Sequence, residues 1–110
     1  MQDATRLKML NKLGMRLASD GQHRAALMLL GMALRLSLNK GLVMQEAKIR
    51  NNIALVLHLS EKYYLARRQF LHSLMLVAKR VGIDNRFYRL VRRNLIQSLH
   101  AEGCLEEMAA

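Results

Sequence analysis

The sequence predicts an all-α protein of antiparallel helix hairpins, about five helices plus a C-terminal stub. Three observations carry that prediction. Apolar residues recur three and four apart through most of the chain, the spacing that lines one face of a helix. Proline is absent, aromatics are only 5% of residues, and Leu, Ala, Met, Arg and Lys dominate, a composition that favours helix over sheet. No stretch alternates with period two, and glycine-bearing breaks separate the periodic segments.

Taken in order, Asp3 or Thr5 is placed to cap a first helix ending near Ser19, with Leu7, Leu10, Leu13, Gly14 and Leu17 on its apolar side. Asp20-Gly21 breaks it, since glycine tolerates the left-handed conformation a helix end often needs. A second helix, about 22–38, carries Ala26, Leu27, Leu30, Ala33 and Leu34. Asn39-Lys40-Gly41 ends it. A third helix spans about 43–59, and Ser60-Glu61 forms a break without glycine. A fourth spans about 62–81 and stops at Gly82. Asp84 or Asn85 caps a fifth that reaches about Ala101, before Glu102-Gly103. Short breaks make consecutive helices antiparallel neighbours.

The composition excludes several classes. The chain has 110 residues, the size of one domain, and a formal net charge of +10. One cysteine builds neither a disulfide framework nor a cysteine zinc site. A hydrophobic content of 52% argues against disorder. Apolar runs such as residues 25–34 and 53–57 fall far short of the ~20 residues of a membrane span. The first ten residues lack the apolar core of a signal peptide. The lone Cys104 fits a reducing compartment, so a cytoplasmic location without membrane attachment is expected.

The chain also repeats itself. At an offset of 40, Leu13-Gly14 falls on Ile53-Ala54, Leu17 on Leu57, Gly21 on Glu61, Ala26 on Ala66, Leu30 on Phe70, and Ala33 on Ser73. At an offset of 42, Asn52-Ile53 falls on Asn94-Leu95 and Leu57-His58 on Leu99-His100. Small residues at 14, 26 and 33 allow close helix approach, and Leu30 or Phe70 fills the space between. This order of small and large residues resembles the tetratricopeptide repeat family. The spacing exceeds that family's usual 34 residues and is similar to the longer-helix variant of kinesin light chains, as is the run Asn51-Asn52-Ile53-Ala54-Leu55. Missing tryptophan, missing closing proline and Glu61 at a turn-glycine position are departures from the pattern. The resemblance covers almost the whole chain as a single domain: one repeat at about 5–41, a second at about 42–82, and a partial third at about 84–110.

Such a solenoid implies a concave surface lined by the first helix of each pair. Family geometry places Lys8, Asn11, Lys12 and Met15 there in the first repeat. The second contributes Lys48, Asn51, Asn52, Leu55 and His58, and the third Arg89, Arg93, Asn94, Gln97 and His100. In relatives, groove asparagines clasp the backbone of an extended peptide, since an amide both donates and accepts. The set holds five Lys or Arg and no acid, which implies an acidic or extended segment of another protein as partner. The family's clamp for chaperone C-termini is not carried over, because only Asn52 matches its positions. Asn11 and Met15 stand at its first pair and Leu90 and Asn94 at its last.

Two other partner classes follow from the charge. Residues 62–100 contain nine Lys or Arg against one acid, Asp84, so nucleic acid is the second candidate. Core-type spacing of Tyr63, Phe70 and Phe87 leaves few rings for base stacking. A small chaperone or regulator shielding a partner helix is the third. The fifth helix carries Phe87, Val91, Leu95 and Leu99 on one side, with only a stub after it. Self-association, or a partner supplying a sixth helix, is therefore expected at that end. Met28, Met32, Met44 and Met75 would suit an adaptable interface, although packing between helices is the commoner use.

Motifs of catalysis are missing. His23, His58, His72 and His100 include no pair four apart and no completing carboxylate, so neither metal nor cofactor is expected. No catalytic thiol is expected at Cys104, and there is no phosphate loop and no nucleophile elbow. Gly14 and Gly31 are better explained as close-packing points. An enzyme is the class the sequence supports least.

Overall fold

The computed structural model describes residues 2–103. The expected C-terminal stub, Cys104, Glu106 and Glu107 lie outside the described residues. Five helices follow one another: α1 (Asp3–Ser19), α2 (His23–Asn39), α3 (Val43–Leu59), α4 (Tyr63–Val81) and α5 (Arg86–Ala101). No strand occurs among the described residues. Consecutive helices pack against one another, and α3 also approaches α1 and α5. The helices α2 and α4 make no such approach. The odd helices thus form one row and the even helices a second, more widely spread row.

The turns explain the register. Glycines at 21 and 41 have φ of 81° and 63°, and Glu61 takes φ 61° at the third equivalent point. Just beyond each, a backbone N–H reaches back to close the helix end: Gln22 to the Leu17 carbonyl, Leu42 to Ser37 and Lys62 to Leu57, each at 2.9 Å. This six-to-one closure is the Schellman motif, and it satisfies carbonyls the helix leaves unpaired. Because the motif recurs every 20 residues, α1, α2 and α3 are each 17 residues long. Glu61 holds a conformation that costs a residue with a Cβ about 1–2 kcal/mol. At the start of α5 the Asn85 side chain accepts the Tyr88 N–H at 2.8 Å, so Asn85 rather than Asp84 is the cap. The first helix departs from expectation. Gln2 is its N-cap, without a side-chain bond, and Asp3 lies in the first turn and pairs with Lys40 at 3.1 Å.

The repeated small and large positions form the core. Ala26, Ala33, Ala54, Ala66 and Ser73 are fully buried, as are Leu30 and Phe70 between them. The Ser73 hydroxyl donates to the Ala47 carbonyl at 2.7 Å and ties α4 to α3. Gly14 is a true contact point, because a Cβ there would stand 2.9 Å from Leu30 Cγ. Gly31 is not: a Cβ there meets nothing within 4 Å, which corrects the sequence expectation. The half-exposed side of α1 is a second difference. Leu13 is 39% exposed while its equivalent Ile53 is 8% exposed. Ile53 belongs to the buried cluster shared with α2, whereas no described element covers that side of α1.

A polar cluster bridges α3 and α4. Arg50 Nε donates to Glu46 at 2.7 Å, and Arg50 Nη1 donates to Gln69 at 3.0 Å. Both members of the ion pair are nearly buried, so each depends on the other for its compensation. His72 Nε2 lies 3.9 Å from the same Glu46 oxygen. Burial lowers the His72 pKa below its ordinary 6.5, the Arg50 charge lowers it further, and Glu46 opposes both. Near the start of α4, Arg67 pairs with Glu102 and lies over the Tyr64 ring.

Candidate functional site

A cleft of about 410 Å³ opens between the N-terminal halves of α1 and α3. Ala4, Leu7, Lys8 and Asn11 line it from α1, and Gln45, Lys48 and Ile49 from α3, with Leu42 at the turn. The helical period explains the arrangement. Residues 4, 8 and 11 share one stripe of α1, and 45, 48 and 52 share one stripe of α3. Leu7 and Ile49 are buried and form an apolar floor, while Lys8 and Lys48 stand exposed at the rim. The lining holds two cations, two amides and no acid. It can therefore attract a carboxylate, hydrogen-bond an extended backbone, and shelter an apolar side chain.

Asparagines close the row of odd helices. Asn52 Nδ2 donates to Asn11 Oδ1 at 2.7 Å, and Asn94 Nδ2 donates to Asn51 Oδ1 at 3.1 Å. These two bonds link α1 to α3 and α3 to α5. Each amide here uses only part of its capacity, since an amide carries two donors and an acceptor oxygen with two lone pairs. Asn11 therefore faces the cleft with hydrogen-bonding capacity to spare.

The expected groove residues divide into distinct places. Lys8, Asn11 and Lys48 meet in the cleft, and Asn52 braces Asn11 beside it. Lys12 is exposed on α1. Met15 and Leu55 are partly buried and pack against the core, so they serve helix contact. Asn51 is only 4% exposed and faces α5, which differs from the expected groove position. Consecutive helical residues point about 100° apart, so Asn51 and Asn52 cannot share one face. His58 is half-buried and sits edge-on to the Tyr63 ring at 5.2 Å. Arg89, Arg93, Gln97 and His100 are exposed and Asn94 half-buried on α5, and none of them lines the cleft. Gln45 and Leu42 were not among the expected residues. Gln45 was recoverable, because it lies three residues before Lys48 on the same helical stripe.

A second hollow of about 390 Å³ is lined by Leu57, Leu65, Arg68, Gln69 and His72. Its polar groups Gln69 and His72 belong to the Glu46–Arg50 cluster that joins α3 to α4. Among the described residues no group of three His, Cys, Asp or Glu is placed to hold a metal ion. Among them, too, no helix is long and apolar enough to cross a membrane. Compared with known proteins, the chain matches no family model and no curated sequence.

Proposed function

We propose that this chain is a tetratricopeptide-repeat-like interaction module that binds an extended, acidic segment of another protein in the cleft between α1 and α3. The observation that carries this is the lining itself: Lys8 and Lys48 at the rim, Asn11 and Gln45 between them, an apolar floor of Leu7 and Ile49, and no acid. Lysines at a rim steer an acidic partner and set specificity more than affinity. The amides match the unpaired backbone groups of an extended peptide. The recurrent pattern of small and large residues supports the family resemblance. The lone cysteine suits action in a reducing, cytoplasmic setting.

The test is a fluorescence-anisotropy titration with an extended Glu-rich peptide in low and moderate salt. Reversal of both charges, Lys8→Glu with Lys48→Glu, should weaken binding by at least about tenfold, with a shallower salt dependence. Equal binding by the reversed variant would reject the cleft as the site.

A further inference from the structure

Equivalent points on the odd helices carry the pairs Asn11-Lys12, Asn51-Asn52 and Arg93-Asn94. In the middle pair, Asn51 faces the following odd helix and Asn52 the preceding one, as the two asparagine bonds show. By the same geometry Lys12 and Arg93 stand at the two outer ends of this ladder, and both are exposed. An inner, self-matching amide is replaced at each end by a cation.

The surroundings of Arg93 extend the pattern. Arg89, Arg93 and Ile96 are exposed and lie four and three residues apart, so they form one stripe on α5. Their counterparts on α3, 42 residues earlier, are Ala47, Asn51 and Ala54, and all three are buried. The face that α3 uses for its neighbours is therefore present on α5, uncovered among the described residues, and rebuilt with long cationic side chains. Exposed Leu90 flanks it. Helix α5 contains four Arg and one His and no acid. The adjacent Asp84 touches Arg89 at 3.2 Å, but both side chains are largely exposed and their pairing is weak.

We infer that this α5 face docks an amphipathic helix of another protein, one that presents carboxylates to Arg89 and Arg93 and apolar residues to Leu90 and Ile96. Continuity with the α3–α5 contact makes the occupant a helix. Charge makes it acidic. A second copy stacked in the same register would bring its Lys12 against Arg93, and two cations at that distance repel. A phosphate backbone would answer the arginines but leave Leu90 and Ile96 facing a polar ribbon. This surface is separate from the α1–α3 cleft, so either proposal stands without the other.

The probe is a stapled helical peptide of about 18 residues, with Glu at four-residue spacing beside a Leu stripe, titrated into the full chain. Arg93→Glu should weaken binding about tenfold or more, and a peptide with Lys in place of Glu should recover it. Lys48→Glu should leave this affinity unchanged. Circular dichroism checks that the variants keep their helices. Four results would overturn the inference: unchanged binding by Arg93→Glu, equal binding of a scrambled peptide, tighter binding of a DNA duplex with the same arginine dependence, or sedimentation showing copies that assemble through Arg93.

Discussion

Two glycines lie inside helices and should respond to the same substitution with opposite signs. An interior glycine costs about 1 kcal/mol of helix stability relative to alanine. At Gly31 an added Cβ has nothing within 4 Å, so Gly31→Ala should recover about that amount. At Gly14 the same Cβ would sit 2.9 Å from Leu30 Cγ and 3.0 Å from Cδ2. Relaxed carbon contacts lie at about 3.5–4.0 Å. Leu30 is 0% exposed, and the clashing atom is its branch point rather than a mobile tip, so it has little room to yield. Overpacking of this kind costs about 1–3 kcal/mol. Set against the propensity gain, Gly14→Ala should lose about 1 kcal/mol. The two variants should then differ by about 2 kcal/mol, or about 8 °C in Tm for a chain of this size. Thermal and urea unfolding followed by far-ultraviolet circular dichroism reads both values. In a Leu30→Ala background, where the obstructing side chain is gone, Gly14→Ala should become stabilising. A Gly14→Ala protein more stable than the parent, or no change of sign in the Leu30→Ala background, would refute the packing assigned to this contact.

Three further outcomes follow from local geometry. Asn51→Ala should destabilise by about 1–2 kcal/mol in urea titration, because it leaves the Asn94 amide without the buried acceptor it uses. Glu61→Gly should raise stability by a few tenths to about 1 kcal/mol, since relief of the left-handed strain exceeds the added freedom of the unfolded chain. The folded protein holds the His72 pKa below 6.5, mainly by burial and then by Arg50. Between the two pKa values the unfolded chain binds the extra proton, so stability should fall as pH drops from 6.5 toward the folded value and level off below it. The effect is small because His72 is half-exposed, and His72→Gln should flatten that part of the pH curve.

Helix boundaries were legible because glycine and turn residues mark them directly. The expected third helix matches Val43–Leu59, the second differs by one residue at each end, and the fourth by one residue at its start. The Ser60-Glu61 break was readable from the sequence, but not the positive φ of Glu61, since local preference does not place glutamate there. Gly31 was misread because a sequence shows a glycine's cost but not what stands opposite it. The candidate site was legible in part. Stripes of Lys8, Asn11 and Lys48 follow from helical period. Assigning Asn51 and Asn52 to one groove ignored the angle between consecutive residues. The asparagine bonds belong to packing, because the same periodicity suits an amide that meets a ligand and one that meets a neighbouring helix. Asn52→Ala and Asn94→Ala therefore carry a structural cost, because both side chains join helices. The Glu46–Arg50 pair sits at four-residue spacing, a signal present in the sequence, whereas its link to Gln69 arises only from the fold.

The binding cleft is tested most directly by nuclear magnetic resonance on isotope-labelled protein titrated with the extended Glu-rich peptide. Side-chain amide signals of Asn11 and Gln45 should shift in a saturable manner, together with the backbone around Lys8 and Lys48, while the buried Asn51 amide stays in place. Shifts confined to α4 and α5, or no saturable shift at Asn11 and Gln45, would contradict a peptide site between α1 and α3.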